Sequence, residues 1–165
     1  MAEQIGQLEA FNVREVNRED SKKIWEIRNH PLARKNFNNP EEIPWKNHES
    51  WFEKKYFSRA DNHCFVLLNG EEKIVGYCRF DFDEEKNMYV VSIAINHNNQ
   101  GKGLGNYLLR ESLQRFASKK DILAEIRKGN IYSIRVFQKN NFRIYKEDAR
   151  NYYLKYGSKE KFKKE

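Results

Sequence analysis

Ile95-Asn-His-Asn-Asn-Gln-Gly-Lys-Gly-Leu-Gly-Asn-Tyr-Leu-Leu109 carries three glycines at alternate positions, Gly101, Gly103 and Gly105. The stretch separates two differently patterned segments. Upstream, Met88–Ile95 is rich in β-branched residues and reads as a strand. Downstream, Leu104, Leu108, Leu109, Leu113 and Phe116 recur at helical spacing and predict a helix through Ser118. Glycine permits φ > 0 and leaves no Cβ in the way of an approaching ligand. The first N–H groups of a helix lack internal partners, and the helix dipole makes that end partly positive. A strand, a glycine turn and a helix start therefore predict an anion site, most often for phosphate. The spacing is G-x-G-x-G, so it matches neither the dinucleotide fingerprint nor the P-loop.

The chain on either side fills in a sheet. Phe11–Val16 alternates and reads as a strand, and Asn17–Ser21 offers caps for a helix through Arg28 that Pro31 ends. Leu32–Phe37 is one further helical turn, residues 38–44 a loop, and Trp45–Phe57 a helix. His63–Leu68, Lys73–Phe82 and Met88–Ile95 are strands joined by polar turns. After the glycine helix come a strand at Ile122–Ile126, a helix at Asn130–Lys139 and a final hairpin of Phe142–Lys146 with Tyr152–Tyr156. This order predicts an α/β (α+β) fold: a mixed, mostly antiparallel sheet of about seven strands flanked by about four helices. One domain is expected over residues 1–156, with 157–165 a basic, frayed tail.

Composition narrows the class. Hydrophobic residues make up 39%, charged residues 33% and aromatics 14% of the 165, which suits a packed, water-soluble domain. No run approaches the ~18 apolar residues of a membrane span, and the amino terminus has no signal pattern. A cytoplasmic location away from membranes is expected. Cys64 and Cys78 lie in apolar runs without metal-ligand spacing, so they read as buried thiols and no metal is expected. The formal charge of +7 would attract a nucleotide, a coenzyme or nucleic acid. Outside the tail the basic residues are interleaved with acidic ones, so a non-catalytic RNA-binding domain ranks last.

Two motifs carry a family resemblance. Gln100-Gly-Lys-Gly-Leu-Gly105 resembles the Q/R-x-x-G-x-G/A loop of the GNAT acetyltransferases, and Glu125, Asn130, Ser133, Ile134, Lys139 and Phe142 fall on a second GNAT segment. The resemblance implies the GNAT fold, acetyl-CoA as co-substrate and acetylation of a primary amine. It places the coenzyme against Ile93, Ile95, Gln100, Gly101, Lys102, Gly103, Leu104, Gly105, Asn106, Asn130, Ser133 and Phe137. A homodimer stays open. Two departures stand out. The tyrosine that commonly protonates the departing thiolate is Phe137, leaving Tyr107, Tyr132 and Tyr145 as candidates, of which Tyr132 is carried forward. The glycine before the last phenylalanine is Asn141, which tolerates a left-handed backbone.

Amine acetylation needs a group to take the proton of the attacking nitrogen. Glu125, at a strand end, is the expected base, with His97, Asp81 and Asp83 as competitors. In the amino-terminal half, Trp25-Glu-Ile-Arg-Asn-His-Pro31 and His48-Glu-Ser-Trp51-Phe52 resemble the W-x-x-R-N and H-x-x-W-F patterns of acetyltransferases acting on UDP-linked 4-amino sugars in the pseudaminic acid pathway. That resemblance makes Arg28, Asn29, His48 and Trp51 acceptor residues. Trp45 and Trp51 would offer aromatic faces and Arg28 a fork for diphosphate. The second enzyme reading, from Ala124–Asn130, is acetylation of protein N-termini of the ribosomal type.

Overall fold

The computed structural model describes residues 10–157, so the basic tail beyond Gly157 lies outside the described residues. Seven strands form one sheet: β1 (Asn12–Glu15), β2 (His63–Leu68), β3 (Ile74–Asp83), β4 (Met88–Ile95), β5 (Ile122–Arg127), β6 (Phe142–Glu147) and β7 (Asn151–Tyr156). Their order is β1-β2-β3-β4-β5-β7-β6, and every pairing is antiparallel except β4 with β5. The helices are α1 (Ser21–Asn29), the single turn α2 (Pro31–Arg34), α3 (Trp45–Tyr56), α4 (Leu104–Arg115) and α5 (Ile131–Lys139). No helix among the described residues is long and apolar enough to cross a membrane.

Two apolar clusters sandwich the sheet. On one face Leu104, Leu108 and Leu109 of α4, with Ile134 and Phe137 of α5, pack on Phe65, Cys78, Phe80, Ala124 and Leu154. On the other, Ile24 and Ile27 of α1 and Phe52 of α3 cover Cys64, Val66 and Tyr77. Successive strand residues point to opposite faces, which is why Cys64 and Cys78 fall in different clusters, each a buried free thiol.

The element order is that read from the sequence, with ends shifted by up to three residues. Two ends move by three: the turn α2 stops at Arg34 rather than Phe37, and α4 stops at Arg115 rather than Ser118. Phe116 leaves helical geometry (φ −91°, ψ 87°) and lays its ring 4.2 Å from that of Phe80. Core packing there wins over one more turn. Asn141 adopts φ 65°, as expected of an asparagine standing in a glycine position.

The feature that positions the site is a split. β4 pairs with β3 along its whole length, from Met88 with Asp83 to Ile95 with Gly76. β4 and β5 share register at only two positions, Tyr89 with Ile122 and Val90 with Leu123. Beyond them the strands part, and β4 from Val91 to Ile95 has an open edge.

Candidate active site

The edge of β4 faces the split with its own donors. Asn96 N–H is given to Val75 O on β3 at 2.8 Å, whereas Tyr89 N–H goes to Asp121 O at 2.9 Å, toward β5. Alternation along the strand therefore turns the N–H groups of Ile93 and Ile95 into the gap. The Gln100 amide donates to the Ile95 carbonyl at 3.1 Å and ties the glycine loop to the strand end.

The loop itself is a nest of donors. Gly101 and Gly103 sit at φ 78° and 76°, left-handed values that a β-branched residue resists. Gly103 is the N-cap of α4, and its carbonyl accepts from Tyr107 N–H at 3.2 Å. The N–H groups of Leu104, Gly105 and Asn106 precede the first intrahelical bond of α4, which Tyr107 makes, so the helix itself supplies them no acceptor. A Cβ added at Gly101 or Gly103 would meet no protein atom within 4 Å, so space as well as donors is kept open there. At Gly105 a Cβ would meet the Tyr132 hydroxyl at 2.9 Å, so the glycine admits that ring. A diphosphate-bearing coenzyme fits this cradle.

The gap opens into a cleft of about 300 Å³ walled by Ile93 and Ile95, by Gln100, Gly101 and Gly105, and by Asn130, Tyr132, Ser133 and Val136. Asn130 caps α5, its side chain accepting from Ser133 N–H at 3.3 Å. The other expected coenzyme residues are placed differently. Leu104 is 1% exposed and packs in the core, so its backbone alone reaches the loop. Asn106 accepts from Asn140 Nδ2 at 2.8 Å, and Lys102 is exposed. Phe137 corrects the expectation for it. It is 2% exposed, packs edge-on against Phe142 at 4.9 Å and joins the core, because α5 turns Asn130, Ser133 and Val136 to the cleft and Ile134 and Phe137 inward. Of the three tyrosines considered, Tyr132 lines the cleft, while Tyr107 donates to Phe11 O at 3.2 Å and Tyr145 lies on β6.

A second cavity of about 550 Å³ adjoins the first, with Asn36 and Phe37 lining both. Its floor is β3, β4 and β5 (Tyr77, Arg79, Val90, Val91, Ser92, Glu125, Arg127), and its walls carry Arg28, His48 and Trp51. The loop after α2 roofs it. Trp25 Nε1 and Asn29 Nδ2 donate to Ile43 O at 2.7 and 2.8 Å, and Ile43 N–H returns to Asn29 Oδ1 at 3.0 Å. Arg28 gives its two Nη groups to Glu41 O and Asn39 O, each at 2.8 Å. Tryptophan, arginine and asparagine of the W-x-x-R-N pattern thus clamp one loop. This corrects two expectations. Asn29 spends its amide on Ile43 backbone and does not line the cavity, and the Arg28 fork is committed to carbonyls. Trp45 is also displaced, since it meets Trp25 edge-on at 5.6 Å and carries Lys22 Nζ 4.5 Å above its ring.

Glu125 is the carboxylate of this cavity. Its Oε1 accepts from Asn38 Nδ2 at 2.7 Å, joining roof to floor, and from Asn151 Nδ2 at 3.2 Å. The competitors sit elsewhere. Asp81 accepts the Tyr56 hydroxyl at 2.7 Å and meets Arg79 at 3.4 Å, Asp83 closes a turn with Lys86, and His97 stacks on His30 at 3.7 Å outside the cavity.

His48 is 3% exposed and its Nε2 lies 3.1 Å from Ser21 O, which can only accept, so Nε2 carries a proton. Burial pushes the imidazole's pKa down to about 4, against the Ser21 hydrogen bond, so the ring is neutral at pH 7. An unfolded histidine titrates near 6.5, so between these values the unfolded chain binds a proton that the fold refuses. Stability should fall by about 2 kcal/mol from pH 7.5 to pH 5 on this account. Urea unfolding at the two pH values should show that loss in the wild type and a smaller one in His48→Gln. An equal loss in both would show that His48 is not its source.

Two adjoining cavities, one beside an amide cradle and one bearing a carboxylate, give room for a coenzyme and a second molecule side by side, the arrangement a transferase needs. The acetyltransferase (GNAT) family profile matches residues 23–142. The fold is shared with yncA from Salmonella typhimurium, solved with its cofactor acetyl-CoA (22% identity, 88% of this chain and 92% of that one, TM-score 0.72). It is shared also with spermidine N-acetyltransferase from Vibrio cholerae in complex with CoA and spermine (16%, 89% and 94%, TM-score 0.71). A third likeness is AAC(6')-Ib in complex with ribostamycin and coenzyme A (15%, 89% and 93%, TM-score 0.70). No curated protein matches the sequence. The chain belongs to the GNAT acetyltransferase family and is an acetyl-CoA-dependent N-acetyltransferase.

Proposed function

We propose that this enzyme acetylates the primary amine of a nucleotide-linked amino sugar. The observation that carries the reading is the roofed 550 Å³ cavity, which joins the cleft and holds Glu125 and the Trp51 ring. A peptide N-terminus asks for an open groove, whereas here Trp25, Arg28 and Asn29 fasten a loop across the top. The resemblance of Trp25–Pro31 and His48–Phe52 to enzymes that acetylate UDP-4-amino sugars supports the same acceptor.

In this reading the amides of residues 101–106 hold the coenzyme's pyrophosphate. Asn130 and Ser133 contact its arm, and the N–H groups of Ile93 and Ile95 meet the thioester oxygen as it gains charge. Glu125 takes a proton from the attacking amine, the new N–C bond forms as the C–S bond breaks, and Tyr132 supplies the proton for the sulfur. The ammonium form has no lone pair, so removal of that proton is the step the carboxylate serves.

The test is release of free thiol from acetyl-CoA with UDP-amino sugars, the same sugars without the nucleotide, polyamines, aminoglycosides and peptides. The highest kcat/KM is expected with a UDP-amino sugar. Fastest turnover with a peptide N-terminus would replace this reading by the protein-acetylating one.

A further inference from the structure

Three guanidinium groups line the acceptor cavity, those of Arg28, Arg79 and Arg127, against one carboxylate, Glu125. Among the described residues Arg28 and Arg127 donate to neutral oxygens, the carbonyls of Asn39, Glu41 and Lys35 and the Asn29 amide, and so keep their full charge. His48 on the same wall is neutral at pH 7.

Arg79 lies at the centre of the floor, opposite Cys64 on β2 and Ser92 on β4. Its guanidinium carbon lies 5.1 Å from the centre of the Trp51 ring. Its one acidic contact among the described residues, Nη1 to Asp81 Oδ2, is long at 3.4 Å, and the other oxygen of Asp81 already takes the Tyr56 hydroxyl. Its Nε is buried without an acceptor among the described residues. A guanidinium carries five donors in a planar fork shaped for two oxygens of one oxyanion. Arg79 is thus short of acceptors in a cavity short of negative charge.

We propose that Arg79 anchors an oxyanion group of the acceptor, phosphate or carboxylate, so that the enzyme takes an amine that also carries negative charge and turns away polycationic amines. A polyamine or aminoglycoside offers further ammonium groups, and beyond Glu125 the cavity presents them with guanidinia; Asp81 does not line the cavity and is engaged by Arg79 and Tyr56. Selection here comes from repulsion of the wrong partner as well as attraction of the right one. The inference rests on the second cavity being the acceptor site, and it does not require the acceptor to be a sugar.

The experiment compares full-length wild type, Arg79→Gln and Arg79→Lys by steady-state kinetics. The acceptors are a UDP-amino sugar, the same amino sugar without UDP, a carboxylate-bearing peptide and spermidine, with UDP as a competing ligand. Arg79→Gln should raise KM for the preferred anionic acceptor roughly 10- to 100-fold, the span of a charged hydrogen-bonded contact, with a far smaller change in kcat. UDP, or the free carboxylate ligand, should lose potency in parallel, the acetyl-CoA KM should hold, and Arg79→Lys should recover part of the loss. Should Arg79→Gln destabilise the fold by stranding Asp81, the Arg79→Gln/Asp81→Asn pair serves in its place, with thermal unfolding as the check. Spermidine as the best wild-type substrate, or an equal KM rise for the neutral sugar and the anionic acceptor, would overturn the proposal. If the preferred anionic acceptor is the peptide, Arg79 keeps its role and the sugar reading falls. If the UDP-amino sugar is preferred and Arg79→Gln leaves its KM unchanged, the sugar reading stands and the anchor falls.

Discussion

Glu125→Gln should lower kcat by about 10²- to 10³-fold, the usual worth of a positioned general base, with little change in the KM for acetyl-CoA. The substitution suits the question because it keeps the shape of the site. Oε1 of Glu125 accepts from both Asn38 and Asn151, and the glutamine carbonyl oxygen can do the same, so roof and floor stay joined. What disappears is a carboxylate able to hold the amine's proton. Steady-state thiol release with both substrates varied separates the two contributions. Turnover equal to wild type across pH would remove Glu125 as the base, and a rise in acetyl-CoA KM matching the fall in kcat would assign it to binding instead.

Gly103→Val should weaken acetyl-CoA binding by roughly 30-fold or more, equivalent to about 2 kcal/mol. Two effects add. At φ 76° a β-branched residue is strained, so the loop shifts away from the geometry in which its amides converge. The new side chain also fills the space where a coenzyme phosphate would lie. Nothing in the protein obstructs a Cβ at this position, so the fold itself should survive with a modest drop in Tm. Titration calorimetry with acetyl-CoA, beside a melting curve, checks both halves. Gly103→Ala, which keeps the strain and adds the least volume, apportions them. Wild-type affinity in the valine variant would refute the cradle.

Much of the architecture was readable because it rests on local pattern. The strand alternation of Met88–Ile95, the leucine spacing after Gly103 and the turn residues of the hairpins each name their element within a window of a few residues. Phe137 shows where such reading stops. A motif aligns the residue with a tyrosine that would face the coenzyme, yet the helix turns it to Phe142, and only the helix's seat on the sheet decides that. Arg28 and Asn29 were singled out as acceptor residues, and what the pattern could not show is that both fasten a loop, because their partners, the carbonyls and N–H of residues 39–43, lie 11 to 14 residues away along a loop with no periodicity of its own. Arg79 went unnoticed since a single arginine in an alternating strand looks like any solvent-facing residue.

The sequence by itself determined the order of strands and helices, the left-handed glycines and the unpaired amides after them, and through two motifs the family, because each of these is a property of neighbouring residues. Tertiary structure alone decided that β4 and β5 part after two register positions, that a clamped loop roofs the second cavity, and that three arginines and Glu125 share it. Those facts depend on groups from distant parts of the chain meeting in space, and the charge and shape of an acceptor site arise only from that meeting.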